Sequence, residues 1–203
     1  MKRLGIIGAS GHGKVVADIA KQMGLYQEIL FFDDKTGVTA CGGYPVAGTS
    51  QDIFQFGCDG IVGIGNAAVR QRIQEQLEAG GVHVPVLIHP RAVVADDVEL
   101  GAGTVIMAGA VVNPGSVTGK GCIINTCASV DHDCLLSDYV HVSVGAHLAG
   151  TITIGPRTWV GIGAVVSNNL TVCGDCMLGA GTVVVKDIKE SGTYVGAPAR
   201  KIK

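Results

Sequence analysis

The sequence has few aromatic residues, no excess of positive charge and no long apolar run. Phenylalanine, tryptophan and tyrosine make up 4% of its 203 residues, so a core must come from small and aliphatic side chains. The formal net charge is -2, so the chain lacks the excess of positive charge that favours binding to nucleic acid. It also lacks a cluster of lysine and arginine suited to an anionic membrane surface. The apolar stretch Leu4–Ala9 is too short for a signal peptide or a membrane span, so we expect a cytoplasmic protein.

Cysteine usage gives no sign of a stabilising framework. Seven cysteines are an odd number, and we expect reduced thiols rather than a disulfide network or a zinc site. No metal is therefore expected. Glycine, in contrast, is abundant at 31 residues, which favours a repetitive β architecture with many tight corners over a helical bundle.

Residues 1–85 alternate short β-branched runs with helical patterns. Leu4–Ile7, Ile29–Phe32 and Ile61–Ile64 are typical of buried strands. Apolar residues at helical spacing follow the first and third of these runs, and each helical pattern ends at a glycine. Alternation of this kind predicts a parallel sheet with helices packed on it, which is an α/β Rossmann-like domain.

Residues 86–203 form the second predicted domain, in which aliphatic residues recur every six positions. The series runs from Val94 to Val184, and only Thr118 interrupts it. A repeat of this length is typical of a hexapeptide parallel β-helix, in which three hexads make one triangular coil. Eighteen residues then separate stacked positions, and each coil buries its aliphatic side chains against the next. Three thiols fall at small inward positions and are interpreted as core residues: Cys122, Cys134 and Cys176.

Polar residues that a regular solenoid does not need concentrate in one stretch: Asn125, Asp131, His132, Asp133, His141 and His147. Position 150, one coil beyond His132, is glycine. This stacking leaves room for a ligand beside the imidazole and exposes a backbone N–H as an oxyanion donor. His132 then suits a general base, with either Asp131 or Asp133 to orient it. Direct attack by an amine or a hydroxyl on a thioester needs no serine or cysteine nucleophile.

A second candidate site is Gly8-Ala9-Ser10-Gly11-His12-Gly13, between the first strand and its helix. Glycine at this place lets the backbone approach a pyrophosphate at a helix N-terminus. Asp33 and Asp34 end the second strand, where an acidic residue commonly meets a ribose hydroxyl. Asn66 follows the third strand, with Arg70 one turn later. We expect a nucleotide crevice at these strand ends, with no base specified.

The sequence resembles the sugar O-acyltransferases of the sialic acid O-acetyltransferase type, and more closely the bacterial UDP-4-amino-sugar N-acetyltransferases. The motifs that carry the resemblance span essentially the whole chain: G-A-S-G-H-G, F-D-D, I-G-N with a following arginine, H-P, V-D-H-D, H-V-S-V-G-A and V-G-A-P-A. The resemblance implies a left-handed β-helix and a homotrimer with acetyl-CoA in the groove between neighbouring prisms. It also implies a nucleotide-sugar substrate that reaches the N-terminal domain.

The resemblance further implies roles for individual residues. His132 matches the catalytic base and Asp133 its acidic partner, which is glutamate in the enzymes that the chain resembles. Five residues are implied in binding acetyl-CoA: Asn125, His141, Gly150, Ile162 and Ala180. Six residues are implied in binding the nucleotide sugar: Ser10, Gly11, His12, Asp33, Asp34 and Asn66.

The leading hypothesis is therefore acetyl transfer from acetyl-CoA to the 4-amino group of a nucleotide-linked 4-amino-4,6-dideoxy sugar, with UDP taken from the resemblance. The nearest alternative is O-acetylation of a sugar hydroxyl, for instance on a sialic acid. A NAD-dependent oxidoreductase would share the strand–glycine–helix opening, but about half of the chain is solenoid. A purely structural β-helix would not need the polar interruption around His132.

Overall fold

The computed structural model describes residues 2–203. These residues divide into two compact units, the first up to Pro90 and the second over Arg91–Lys203. The division falls a few residues beyond the expected boundary between residues 85 and 86.

The first unit is a five-stranded sheet with two long helices. Its elements in chain order are β1 (Arg3–Ile7), α1 (Gly11–Met23), β2 (Glu28–Phe32), β3 (Ala40–Cys41), β4 (Tyr44–Gly48), a 3-10 helix (Asp52–Gln55), β5 (Asp59–Val62), α2 (Ala67–Ala79) and β6 (Leu87–Ile88). The sheet has the order β3-β4-β2-β1-β5. Its strands pair in parallel except at the β3–β4 hairpin, which is antiparallel.

In the first unit, burial accounts for the apolar runs of the strands and for the helical spacing of apolar residues in α1. After their charged first residues, Arg3 and Glu28, β1 and β2 consist of apolar residues and one glycine that are all buried, as a parallel sheet covered by helices requires. α1 buries Val16, Ile19 and Ala20 on one face and ends at Gly24, whose φ of 68° is left-handed. The strand predicted at Ile61–Ile64 is present as β5, shifted towards the N-terminus.

The second unit is a parallel β-helix built from very short strands. They are β7 (Val93–Val94), β8 (Glu99–Leu100), β9 (Val105–Ile106), β10 (Val111–Val112), β11 (Val117–Thr118), β12 (Ile123–Ile124), β13 (Ser129–Val130), β14 (Leu135–Leu136), β15 (His141–Val142), β16 (His147–Leu148), β17 (Thr153–Ile154), β18 (Trp159–Val160), β19 (Val165–Val166), β20 (Thr171–Val172), β21 (Cys176–Leu178), β22 (Val183–Val184), β23 (Gly192–Val195) and β24 (Arg200–Lys201).

Three sheets form the faces of this prism. Face A contains β7, β10, β13, β16, β19 and β22, and face B contains β8, β11, β14, β17 and β20. Face C contains β9, β12, β15, β18 and β21, with β23 and β24 added beyond β21. The chain passes from face A to B to C and back to A. Its turns therefore build an A–B corner, a B–C corner and a C–A corner.

Stacked residues are 18 apart in sequence, which confirms the predicted coil length. On face A, for example, Ser129 pairs with His147 and His147 with Val165. The second residue of most strands points inward and is buried. Thr118, the polar exception in the aliphatic series, is buried as well, and its Oγ1 lies 3.5 Å from Oγ1 of Thr104.

The corner turns place a left-handed residue at the same hexad position along the helix. This position is glycine in several hexads, yet Cys127, Asp133 and Thr151 occupy it with φ of 55°, 55° and 60°. Residues other than glycine adopt this backbone at a cost. Asp133 is therefore held by the solenoid in a conformation that the residue itself does not favour.

Candidate active site

His132 lies at the A–B corner, in the turn between β13 and β14. Its side chain is 58% exposed, and its Nδ1 lies 2.8 Å from Oδ2 of Asp133. A hydrogen bond from Nδ1–H to this carboxylate leaves Nε2 as the nitrogen that can accept a proton. The corner therefore presents an oriented imidazole at the protein surface.

Asp131 makes different contacts from Asp133. Its Oδ1 accepts hydrogen bonds from the backbone N–H of His132 and from Nδ2 of Asn113, each at 2.8 Å. Asp131 thus holds the backbone of the turn, while Asp133 contacts the ring. The sequence did not decide which of these two carboxylates orients the imidazole. In the structure, Asp133 contacts the ring.

The same contacts set the protonation of the site. The hydrogen bond with Asp133, helped by the negative charges of Asp131 and Asp133, raises the pKa of His132. Hydrogen bonds from Asn113 and from the backbone lower the pKa of Asp131, which is therefore anionic near neutral pH. A raised pKa makes the imidazole a stronger base, although water at this exposed corner screens the effect.

Gly150 lies against the ring of His132, one coil further along. A Cβ at position 150 would lie 2.5 Å from both Cε1 and Nε2 of His132. The backbone of Gly150 is not left-handed, so space rather than conformation requires glycine here. Within residues 2–203, no group accepts a hydrogen bond from the Gly150 N–H. Gly150 is buried, and its N–H is an unused backbone donor next to the imidazole.

Asn125 and His141 belong to the C–A side of the prism and not to the A–B corner. Nδ2 of Asn125 lies 2.9 Å from Nε2 of His141. The His141 ring packs on Trp159 of the next coil, with 4.2 Å between ring centroids, and is buried. The structure therefore joins Asn125 to His141 and places both away from His132.

Exposed apolar residues stack along the C–A corner. Val144 is 40% exposed and Ile162 is 53% exposed, and Ala180 is exposed on the following coil. Exposed apolar side chains in a column favour contact with the apolar part of a ligand or of another chain. Ile162 and Ala180 share this corner with Asn125, whereas Gly150, the other residue outside face C that was predicted to bind acetyl-CoA, lies at the A–B corner.

In the first unit, the Gly-rich turn between β1 and α1 lies beside the end of β2. Oδ2 of Asp33 accepts a hydrogen bond from the Ala9 N–H at 2.6 Å, and its Oδ1 accepts one from the Lys35 N–H at 2.8 Å. A Cβ at Gly13 would overlap the carbonyl oxygen of Gly8, so helix and turn approach as closely as glycine allows. Asp33 therefore shapes this turn with both of its carboxylate oxygens.

Ser10 and Gly11 form the open side of the same turn. Ser10 is the N-cap residue of α1 without a side-chain capping hydrogen bond, and its Oγ lies 3.4 Å from the carbonyl oxygen of Gly63. A Cβ at Gly11 would meet no atom within 4 Å. The start of α1 is thus accessible, as an anion at a helix N-terminus requires.

The half-buried His12 lies near the buried Arg70. Burial, and then the positive charge of Arg70, lower the pKa of His12 to about 4, so the imidazole is neutral at pH 7. Nη1 of Arg70 donates hydrogen bonds to the carbonyl oxygens of Ile64 and Gly65, at 3.1 and 2.7 Å. Arg70 therefore holds the loop that follows β5.

Asp34 and Asn66 already have partners within the first unit. Asp34 accepts hydrogen bonds from the N–H and Oγ of Ser50, at 2.8 and 3.0 Å. Asn66 caps α2, and its Oδ1 accepts from the Val69 N–H at 3.0 Å. The predicted nucleotide-sugar residues thus fall into two groups: some lie on the open turn, and others fix the loops around it.

A groove on face A received no role from the sequence. It has a volume of about 320 Å³, and its polar wall contains Asn113, Ser129, Asp131 and His147. Oγ of Ser129 lies 2.8 Å from Nδ1 of His147. Ser129 precedes His147 by 18 residues, so the coil length alone predicts that the two residues are stacked neighbours.

Cys173 and Cys176 stand at a C-x-x-C spacing, the one exception to the scattered cysteines of this sequence. Their Sγ atoms lie 3.5 Å apart, and all seven cysteines are free thiols. Burial raises the pKa of Cys176 to about 12, so this thiol is inert as a nucleophile. Among residues 2–203, no group of three or more His, Cys, Asp or Glu side chains is arranged to hold a metal ion.

No helix within residues 2–203 is both long enough and apolar enough to cross a membrane.

Together, the hexad solenoid and the corner where an imidazole meets a carboxylate and a bare glycine define the class of protein. A thioester bound at this corner would lie near both the imidazole of His132 and the backbone N–H of Gly150. This is the arrangement of a hexapeptide-repeat acyltransferase.

Comparison with known proteins identifies the family. Residues 3–77 match the family model described as the PglD N-terminal domain. The acetyltransferase domain of PglB from Neisseria gonorrhoeae FA1090, solved in complex with acetyl coenzyme A, is 44% identical, with 99% of each chain covered and a TM-score of 0.96. PerB from Caulobacter crescentus, solved in complex with CoA and GDP-perosamine, is 35% identical over 100% of this chain and 98% of its own, with a TM-score of 0.95. UDP-N-acetylbacillosamine N-acetyltransferase from Bacillus subtilis (strain 168) is 36% identical over 113 residues, which cover 53% of this chain and 52% of that protein.

The chain belongs to the family of bacterial sugar N-acetyltransferases that contains these proteins. It is an acetyltransferase, and acetyl-CoA is its co-substrate. The predicted family and fold class, a Rossmann-like α/β domain followed by a left-handed parallel β-helix, are both confirmed.

Proposed function

We propose that the protein transfers an acetyl group from acetyl-CoA to the 4-amino group of a UDP-linked 4-amino-4,6-dideoxy sugar. The observation that carries the proposal is the contact between His132 and Gly150 at the A–B corner. The relatives support the acceptor class, since one is named for a UDP-linked sugar and another was solved with GDP-perosamine. The open turn at Ser10 and Gly11 supports a site for the diphosphate of such a sugar.

In the proposed mechanism, His132 is the general base. The 4-amino nitrogen of the sugar attacks the thioester carbonyl carbon, and Nε2 of His132 takes the proton that the nitrogen loses. The C–S bond then breaks, and the sulfur of coenzyme A leaves with that proton as a thiol. Acetyl-CoA and the amine thus become an amide and coenzyme A. Asp133 stabilises the imidazolium through Nδ1 in the intermediate step.

Gly150 has two proposed roles in the same step. Its lack of a side chain makes room for the imidazole of His132, which packs against residue 150. Its N–H donates to the oxygen that becomes negative when the tetrahedral intermediate forms. One removed oxyanion donor typically costs about 10²–10³-fold in rate, so this N–H is a substantial part of the proposed catalysis.

We also propose a homotrimer in which neighbouring chains complete each site. The predicted acetyl-CoA residues Asn125, His141, Ile162 and Ala180 lie on the C–A side of the prism, whereas His132 lies at the A–B corner. Two corners of one triangular prism point in different directions. A neighbour related by threefold symmetry brings its C–A corner to the A–B corner of the first chain.

The acceptor is tested by incubating the purified protein with acetyl-CoA and single nucleotide sugars, and by reading the products by mass spectrometry. UDP-, GDP- and dTDP-linked 4-amino sugars and a sialic acid form the panel. We expect N-acetylation of the UDP-linked amino sugar and little product from the sialic acid hydroxyls. Faster turnover of a GDP-linked sugar would contradict the proposed nucleotide, and O-acetylation would contradict the proposed acceptor.

The role of His132 is tested with His132→Ala. Loss of a general base typically costs about 10²–10⁴-fold in turnover, whereas binding of acetyl-CoA measured by calorimetry should be unchanged. Full turnover by this variant would remove His132 from the mechanism.

The shared site is tested by complementation. Co-expressed His132→Ala and Asn125→Ala chains should form mixed trimers in which about a quarter of the sites contain both native residues. Recovery of activity to that level is expected, with light scattering used to measure the assembly. Without recovery, each site would lie within one chain.

A further inference from the structure

The last B–C corner of the β-helix carries two thiols. At each B–C corner an outer residue follows the face B strand, and an inward residue precedes or begins the face C strand. The earlier coils have these residues as outer–inward pairs: Gly101 and Thr104, Gly119 and Cys122, Ser137 and Val140, Gly155 and Thr158. On the last coil the pair is Cys173 and Cys176. The second thiol is therefore a departure confined to this coil.

A single buried hydroxyl holds both ends of this turn. Oγ1 of Thr158, which has no exposed surface, donates to the carbonyl oxygen of Cys173 at 3.0 Å and accepts from the Cys176 N–H at 3.2 Å. The Cys173 N–H donates to the carbonyl oxygen of Ile188 at 2.8 Å. These hydrogen bonds fix the backbone that carries both sulfur atoms.

The two sulfur atoms lie in contact. Sγ of Cys122, the thiol at the same inward position of another coil, donates to the carbonyl oxygen of Ser137 at 3.2 Å. Sγ of Cys176 lies further from its own carbonyl neighbour, Glu190, at 3.7 Å, and is 3.5 Å from Sγ of Cys173. A disulfide bond is about 2.05 Å long, so the two sulfur atoms need to approach by only about 1.5 Å.

The two thiols differ in access. Cys173 is half-buried, whereas Cys176 is 3% exposed. Burial, and then the neighbouring Cys173 thiol, raise the pKa of Cys176 to about 12, which makes Cys176 unreactive towards a reagent in solution. The proposed homotrimer joins the A–B and C–A corners, so the B–C corner stays outside that interface. Cys173 is therefore the thiol that a small reagent meets first.

We propose that Cys173 and Cys176 form a reversible modification site, which reacts with a low-molecular-weight disulfide and becomes an intramolecular disulfide bond. In the first step Cys173 loses its proton to water, and its sulfur attacks one sulfur of the reagent. The S–S bond of the reagent breaks, and one small thiolate leaves and takes up a proton. In the second step Cys176 loses its proton, and its sulfur attacks that of Cys173 and releases the second small thiol in the same way. Two protein thiols are oxidised, and one small disulfide is reduced to two thiols.

The position of Cys176 allows the second step although the side chain is buried. Once Cys173 carries the small thiol, it has no thiol of its own to raise the pKa of Cys176. The sulfur under attack is already a neighbour, and a group held in contact reacts at a high effective concentration. The site thus responds to the balance between small thiols and small disulfides around the protein.

Mass spectrometry of the folded protein treated with glutathione disulfide tests the proposal. After alkylation, tryptic cleavage at Arg157 and Lys186 yields residues 158–186, in which Cys173 and Cys176 are the only cysteines. We expect this peptide to lose two hydrogen atoms and to regain them with dithiothreitol. The readout is a mass and involves no acetyl transfer, so the result is independent of the proposed function.

The preceding tryptic peptide is the control for the reagent. Residues 121–157 contain Cys122, Cys127 and Cys134, of which Cys127 is exposed. Cys127 should gain one glutathione, and no disulfide should form within this peptide. An unchanged 158–186 peptide from protein whose Cys127 has gained glutathione would overturn the proposal.

Two variants separate the steps, and each introduces a residue that another coil has at the same position. Cys176→Thr matches Thr158 and should stop after the first step, with one glutathione retained on Cys173. Cys173→Ser matches Ser137 and should leave Cys176 unmodified. Both variants should keep the wild-type kcat/KM for acetyl transfer. Modification of Cys176 in Cys173→Ser, or no retained glutathione in Cys176→Thr, would contradict the proposed order.

Discussion

The Gly150→Ala variant tests the geometry of the A–B corner with a single methyl group. The added Cβ would lie 2.5 Å from Nε2 and from Cε1 of His132, whereas ordinary contacts between such atoms are about 3.5–4 Å. The imidazole must therefore move by about 1 Å. The backbone N–H of residue 150 is retained, so the variant changes the position of the base and leaves the oxyanion donor in place.

A displacement of this size has a large expected effect on rate and a small one on stability. A misplacement of about 1 Å costs on the order of 10²-fold in turnover. The His132 side chain is 58% exposed, so the ring can swing into solvent, and the free energy of unfolding should change by less than about 1 kcal/mol. We expect kcat/KM to fall about a hundredfold with nearly the same melting temperature.

A double-mutant cycle supplies the control. In the His132→Ala background no ring remains to be displaced, so Gly150→Ala should cost nothing further, and the two losses should not add. The assay is thiol release from acetyl-CoA with the amino sugar as acceptor. Activity of Gly150→Ala within twofold of wild type, or a full second loss in the His132→Ala background, would refute the proposed role of this contact.

Three further predictions concern charge and hydrogen bonding. Because Asp133 raises the pKa of His132, Asp133→Asn should shift the acidic limb of the kcat/KM profile to lower pH and reduce its plateau; an unmoved limb would exclude this coupling. His12 has its pKa lowered from 6.5 to about 4 by burial and by Arg70, so between these pH values only the unfolded chain binds the proton. The free energy of unfolding should therefore fall by roughly 3 kcal/mol from pH 6.5 to 4, and denaturant melts of His12→Gln should lack this slope; the same slope in the variant would contradict the prediction. Asp33→Asn should loosen the Gly-rich turn and raise the KM for the nucleotide sugar roughly tenfold, measured against an unchanged KM for acetyl-CoA.

The sequence predicted the stacking of the second unit because the coil length of a β-helix is fixed. The sixfold series gave a coil of 18 residues, and from this spacing alone position 150 could be placed beside His132. Thr118 broke the series without breaking the fold, since its hydroxyl lies near that of Thr104 inside the coil. Because the coil length is constant, the sequence repeat predicts which residues are stacked even where they are far apart along the chain.

The sequence could not separate residues that share a coil but lie on different faces. Asn125 and His141 lie within half a coil of His132 in the sequence, so the sequence alone suggests one polar cluster of all three residues. In the structure, Asn125 and His141 lie on the C–A side. Nor could the sequence choose between Asp131 and Asp133, because both adjoin His132 and the choice depends on hydrogen bonds around a left-handed φ at residue 133.

The first unit shows the same limit. Asp33 stands where an acidic residue commonly meets a ribose, yet its carboxylate oxygens accept hydrogen bonds from the N–H groups of Ala9 and Lys35. The motif locates the turn and the strand end correctly. Whether a side chain contacts a ligand or the protein itself depends on the positions of nearby hydrogen-bond donors, and a sequence pattern does not give these positions.

The most direct test of the account is a crystal structure with a non-hydrolysable acetyl-CoA analogue and the UDP-linked amino sugar. We expect the carbonyl oxygen of the analogue within about 3 Å of the Gly150 N–H, and the sugar nitrogen within hydrogen-bonding distance of Nε2 of His132. A carbonyl group bound at another corner, with His132 facing solvent alone, would contradict the account.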